Sequence, residues 1–126
     1  MAKVARSKPA KSQGKLPGTY LAFVEKFPAL GRAHADIAEA AYQAGPLDRK
    51  TCELIKAGIC IGAGLESAFR SHVRRAMEHG ATETEIEQAV LLAMNTVGFP
   101  RMVMCWNWAK VQFERERTDK RGGRQP

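Results

Sequence analysis

His72 is the first candidate for a catalytic residue in this chain. Read as a helix, its segment places His72 on one face with apolar neighbours. These neighbours are Leu65, Ala68, Phe69, Val73 and Ala76. An imidazole exchanges protons near neutral pH, so His72 is either a hydrogen-bonded core histidine or a general acid or base. Spacing alone favours the core histidine and leaves the catalytic interpretation open.

Glu53 is the second candidate, and it opens the apolar half of the preceding predicted helix. Its face continues through Ala57, Cys60 and Gly64, which are small residues. A carboxylate beside small residues can be partly buried next to space for a ligand. The alternative is an exposed acid in the first turns, where the helix dipole stabilises negative charge. Helical periodicity does not distinguish a partly buried Glu53 from an exposed one.

The three cysteines are Cys52, Cys60 and Cys105, an odd number with no short-range pair. In one helix, Cys52 and Cys60 would lie about 12 Å apart along the axis, too far for a disulfide. The sequence contains neither Cys-x-x-Cys nor His-x-x-x-His, so we predict no metal site. Reduced and mostly buried thiols are the expected state.

Helical periodicity describes the elements that must position these residues. The third predicted helix begins after Asp48 as N-cap, and the fifth begins with a capping box of Thr82 and Glu85. The expected helices span about 19–27, 31–44, 49–61, 65–79, 83–97 and 101–116. The predicted fold class is therefore all-α, a single-domain bundle of about six helices with the third and fourth as a central antiparallel pair.

The charge and its distribution limit the classes of partner. The net charge of the 126 residues is +7, yet residues 19–113 carry ten basic and ten acidic side chains. We therefore predict a disordered basic tail over 1–18, a helical domain over 19–113 and a charged C-terminal tail over 114–126. Because the excess charge lies in the tails, nucleic-acid binding is not expected. No apolar run is long enough for a membrane span or a secretory signal, which predicts a cytoplasmic protein.

Three segments carry a resemblance to a known superfamily. Residues 47–55 place a Leu and a charged turn before Glu53, and residues 72–86 follow the pattern H-x-x-x-A-x-x-x-G-A-T-x-x-E-I. Residues 98–100 then supply Gly-Phe-Pro. In this order, the segments resemble the carboxymuconolactone decarboxylase and alkylhydroperoxidase D-like superfamily, and the similarity extends over about residues 21–113.

The resemblance favours the decarboxylase branch over the peroxidase branch. Glu53 and His72 keep the 19-residue separation of the peroxidase Glu and His, but Leu65 and Ala68 occupy its two cysteine positions. A peroxidatic site needs a thiolate and a resolving thiol, which these positions lack. A relocated thiol at Cys60 is the weaker alternative. An alkylhydroperoxidase D-like thiol oxidoreductase is therefore the second hypothesis for the function.

The decarboxylase branch implies a lyase that performs acid–base chemistry on a small lactone or carboxylate without a cofactor. His72 would move the proton, and Glu53 would orient or charge-tune the imidazole of His72. Arg101 and Trp106 are weak candidates for substrate binding, and a surface Arg and a subunit-contact Trp are the favoured alternatives. A non-catalytic oligomer on the same scaffold is the third hypothesis.

The resemblance also implies a homo-oligomer, a trimer or hexamer. The last predicted helix carries more large apolar side chains than one helix easily buries in a monomer. These are Met102, Met104, Trp106, Trp108 and Phe113.

Overall fold

The computed structural model describes the backbone of residues 18–124 and the side chains of residues 18–121. The predicted basic tail lies outside these residues except for Gly18, which is the first residue of a helix. Six α-helices account for the secondary structure, and the described residues contain no strand, which confirms the all-α prediction. The helices are α1 (Gly18–Lys26), α2 (Pro28–Gln43), α3 (Arg49–Ala63), α4 (Glu66–Glu78), α5 (Glu83–Leu91) and α6 (Phe99–Arg124).

The chain divides into two compact units, and the first, which ends at Pro46, contains α1 and α2. Pro28 separates these helices and occupies the first turn of α2, where its missing N–H costs nothing. Gly31 is buried, and a Cβ at this position would lie only 3.0 Å from a methyl carbon of Val24. The glycine thus permits a close approach of α2 to α1. α2 begins three residues before the predicted start at 31.

The second unit begins at Leu47 and contains α3 to α6. Asp48 is the N-cap of α3, as predicted, and its side chain accepts a hydrogen bond of 2.8 Å from the Thr51 N–H. α3 ends at Gly64, whose φ of +74° lies in the left-handed region that favours glycine. Arg101 stabilises this end by donating to the carbonyl oxygens of Ile61 at 2.8 Å and Gly62 at 3.1 Å. The chain therefore reverses sharply into α4.

α4 packs against both α3 and α6. Phe69, Val73 and Ala76 are completely buried, as the apolar face of the sequence predicts. The ring of Phe69 contacts that of Trp108 in α6, with 5.9 Å between their centroids. The predicted central antiparallel pair, α3 and α4, is thus present and is covered on its second side by α6.

The last two helices differ from the prediction in their ends. α5 ends at Leu91 instead of near 97, and residues 92–97 form tight turns in which the Thr96 hydroxyl donates to the Leu92 carbonyl. Such side-chain bonds compete with the regular helix. α6 continues past the expected end at 116 to Arg124, through most of the predicted charged tail. In this extension, Arg117 forms ion pairs with Glu114 in its own helix and with Glu83 in α5.

The capping box of α5 gives the first testable prediction. Thr82 Oγ accepts from the Glu85 N–H at 3.1 Å, and the Glu85 carboxylate accepts from the Thr82 N–H at 3.0 Å. We expect Thr82→Ala to lower the free energy of unfolding by about 1 kcal/mol in urea titrations, because an N-terminal N–H of the helix loses its acceptor. Thr84→Ala, at an exposed position of the same helix, is the matched control and should cause no loss. Equal losses in both variants would contradict a specific role of the cap.

Candidate functional site

Glu53 and His72 meet between the two central helices. Glu53 lies in α3 with 0% of its surface exposed, and its Oε1 atom is 2.7 Å from His72 Nδ1 in α4. The His72 side chain is 16% exposed. Both residues lie at similar distances along the chain from the reversal at Gly64, so antiparallel packing brings them to the same height. The two side chains are therefore in direct contact, and the alternative of an exposed first-turn Glu53 is excluded.

Arg49 completes the arrangement and was not among the predicted site residues. It lies one turn before Glu53 in α3, and its Nε atom donates to Glu53 Oε2 at 3.3 Å. Its side chain is partly exposed, so it joins the buried carboxylate to the surface. The signal in the sequence was the i, i+4 spacing of Arg49 and Glu53, which places the two side chains next to each other on a helix.

The geometry determines which nitrogen of His72 is available for chemistry. An ionised carboxylate only accepts hydrogen bonds, so Glu53 requires a proton on His72 Nδ1. The second ring nitrogen, Nε2, is then the atom that takes up or releases a proton. Glu53 also compensates the positive charge that the ring carries when both nitrogens are protonated. The arrangement suits proton transfer at Nε2.

Cys60 lies apart from this pair, whereas Cys52 directly precedes Glu53 in α3. All three are free, as expected, and Cys60 and Cys105 are buried. Cys60 lies two helical turns after Glu53 on the same face of α3, about 10 Å away along the axis. Leu65, at one of the two peroxidase cysteine positions, is half exposed and precedes α4 directly. The structure does not bring Cys60 into contact with the Glu53–His72 pair.

Arg101 and Trp106 contact other parts of the second unit. Arg101 donates to carbonyl groups at the C-terminal end of α3, whereas Glu53 lies near the start of that helix. Trp106 donates from Nε1 to Glu87 in α5 at 3.3 Å, and Lys110 Nζ lies 4.0 Å from the centroid of its ring. These contacts give Arg101 a capping role, and they do not connect either residue to the pair.

A groove of about 510 Å³ lies on another side of α3, between α3, α5 and the turns at 92–97. Neither Glu53 nor His72 lines it, so the groove is separate from the pair. Among the described residues, no three His, Cys, Asp or Glu side chains cluster as metal ligands. The helices of residues 18–124 also include none with the length and apolar character of a membrane span.

Comparison with known proteins identifies the family. A search of curated proteins found no match. Residues 28–111, which are 84 of the 126 residues, match the sequence model of the carboxymuconolactone decarboxylase family. This range includes α2 to α5, both residues of the pair, and the part of α6 with Trp108, which contacts Phe69 in α4. The chain therefore belongs to the carboxymuconolactone decarboxylase family.

Proposed function

We propose that this protein is an acid–base enzyme of the decarboxylase type that acts on a small lactone or carboxylate without a cofactor. The observation that carries the proposal is the hydrogen bond of 2.7 Å between His72 and the buried Glu53. The pair lies within the segment that matches the family. A buried carboxylate is costly unless it is paired, and here it orients an imidazole that can exchange protons.

The proposed step is decarboxylation followed by protonation of the same carbon. The bond between the substrate carbon and its carboxylate breaks, CO₂ leaves, and the electron pair is delocalised into the adjacent lactone or carbonyl group. His72 then donates the proton on Nε2 to that carbon, and the new C–H bond forms. The ring recovers a proton from water before the next cycle. One carboxylate and one proton thus give one CO₂ and one C–H bond.

Glu53 and Arg49 act in this scheme as positioning residues. Glu53 holds Nδ1 of His72, so that Nε2 is the nitrogen directed away from the carboxylate. Arg49 holds the second carboxylate oxygen and thereby limits rotation of Glu53. The low exposure of His72 shields the proton transfer from bulk water, which strengthens the electrostatic effect of Glu53.

Substitutions of the pair test the proposed role. We expect His72→Ala to lower CO₂ release from carboxymuconolactone by about 100-fold or more, since it removes the proton donor. Glu53→Gln should lower it by a smaller factor, because the amide oxygen can still accept from Nδ1 but carries no charge. His79→Ala is the matched control, because His79 is exposed at the C-terminal cap of the same helix.

A folded His72→Ala variant with at least half of the wild-type rate would contradict the proposed catalytic role. Circular dichroism establishes whether each variant keeps its helices. If the wild-type protein turns over no lactone or carboxylate, the pair has a structural role and the third hypothesis, a non-catalytic oligomer, replaces the proposal. These two outcomes differ in the activity of the wild-type protein.

The thiol-dependent alternative is disfavoured by the state of Cys60. Its side chain is only 5% exposed, and burial raises the pKa of its thiol above the ordinary 9.0, although Lys56 acts in the opposite direction. Burial also raises the pKa of Cys105, against the effect of Arg101. A thiol with a raised pKa holds little thiolate at neutral pH. The reducing cytoplasm, which we propose as the location, would keep all three thiols free.

The thiols should therefore react in a defined order. We expect a thiol reagent such as iodoacetamide to label partly exposed Cys52 first, and Cys60 and Cys105 much more slowly until the chain is unfolded. Because the pKa values of Cys60 and Cys105 are raised, their labelling should still be increasing above pH 9. Mass spectrometry of timed samples measures this order. Fast labelling of Cys60 at pH 7, or a peroxidase activity that Cys60→Ser abolishes, would support the thiol alternative.

We also propose that the protein is a trimer or hexamer. Of the apolar residues on α6 that suggested an interface, Met102, Trp108 and Phe113 are buried within the chain, whereas Met104 and Trp106 are exposed. Val103 and Val111 extend this exposed surface of α6. Contiguous exposed apolar residues are typical of protein interfaces.

Light scattering tests the assembly. The expected mass is three or six times the chain mass of 13.9 kDa. Val103→Asp should shift the protein toward smaller species, because a charge at an interface must lose its water. Thr118→Asp, at an exposed position further along α6, is the control and should leave the mass unchanged. A wild-type monomer at micromolar concentration would contradict the proposed assembly.

A further inference from the structure

The groove between α3 and α5 has the size and lining of a small-molecule site. Its volume of about 510 Å³ lies within the range of about 300–1,000 Å³ that ligand pockets occupy. Most of its lining is apolar, and its walls come from α3, α5 and the turns that follow α5. The main apolar contributions are Leu54, Ile55, Ile61, Leu92, Ala93 and Val97.

Two glycines of α3 create the space for a ligand. Gly58 and Gly62 line the groove, one turn apart, and a Cβ at either position would meet no neighbouring atom within 4 Å. Packing inside the chain therefore does not require glycine here, although glycine is a poor helix former. The absence of side chains exposes the α3 backbone to the groove and lets a bound molecule approach it closely.

The polar groups of the groove lie on two elements and carry little uncompensated charge. Thr51, Gln88 and Thr96 supply hydroxyl and amide groups. Glu85 is the charged residue of the lining. Its carboxylate accepts a hydrogen bond from the Thr82 N–H, and Lys50 Nζ lies 3.1 Å from its Oε2 atom. Both contacts hold the pKa of Glu85 below the ordinary value. Because Lys50 already balances this carboxylate, a second cation has no unpaired charge to bind. A neutral ligand suits the groove better than a charged one.

We infer that this groove binds a small neutral molecule with an apolar body and one hydrogen-bonding group. The apolar body would lie over Gly58 and Gly62, between Ile61 and Leu92, where it removes apolar surface from water. Its polar group would bond Thr51 or Gln88.

The groove is independent of the proposed catalytic pair. At about 100° per residue, the groove residues Thr51 and Gly58 lie roughly 140–160° around the α3 axis from Glu53. α3 therefore presents one face to α4 and the pair, and another to the groove. The inference does not rest on the proposed function, and the two can fail separately.

Fluorescence of N-phenyl-1-naphthylamine, a neutral aromatic amine that brightens in apolar surroundings, tests the inference on the full chain. We expect saturable binding of one molecule per chain. Gly58→Leu should weaken the affinity at least tenfold, because the new side chain fills the groove. Ala63→Leu, at an exposed position of α3 outside the groove lining, should change the affinity less than twofold. His72→Ala should bind the probe like the wild-type protein.

Thermal unfolding separates loss of the site from loss of the fold. Gly58→Ala should bind the probe more weakly yet melt at a higher temperature, since alanine favours the helix and meets no neighbour. Unchanged affinity in Gly58→Leu would overturn the inference. A second pair of results would also overturn the inference: probe binding that falls as the protein concentration rises, and a changed oligomeric mass in Gly58→Leu. Together they would mean that a second copy of the chain occupies the groove.

Discussion

The carboxylate of Glu53 is completely removed from water, and this burial constrains the second unit. A buried charge costs several kcal/mol unless opposite charge and hydrogen bonds compensate it. His72 provides one partner from α4, and Arg49 provides another from the preceding turn of α3. Sliding of α4 along α3 by one turn would separate the partners, so the pair requires one register between the two helices.

The ends of α3 maintain that register. Asp48 caps the start of the helix, and the left-handed conformation of Gly64 turns the chain directly into α4. Arg101 reaches from the first turn of α6 to the last carbonyl groups of α3. The same contacts that end α3 thus connect it to α4 and α6. The candidate site lies near the capped start of α3, and the far end of the helix is fixed by Gly64 and Arg101.

α3 has two different environments on its two sides. Toward α4 it carries Glu53, Ala57 and Cys60, all of which are buried, so the polar pair lies on the same face as small apolar residues. Toward α5 it carries Gly58 and Gly62, which leave open space. The first side holds the pair to which we assign the proposed acid–base chemistry, which needs a shielded imidazole. The second side has the properties of a separate binding surface.

Local sequence patterns determined the helices, the caps at Asp48 and Thr82, and the inward direction of His72, because capping and periodicity depend on residues within a few positions of one another. Fold class followed from the same patterns, whereas the family followed from a resemblance of ordered motifs and is shown by the match over residues 28–111. Only the tertiary structure decided that Glu53 is buried, since the residues on its helix face are equally compatible with an exposed and a buried carboxylate. It also decided that Arg74, a charged residue of α4, is buried. The capping role of Arg101, which lies 40 residues after Ile61 along the chain, depends on packing that no local pattern specifies.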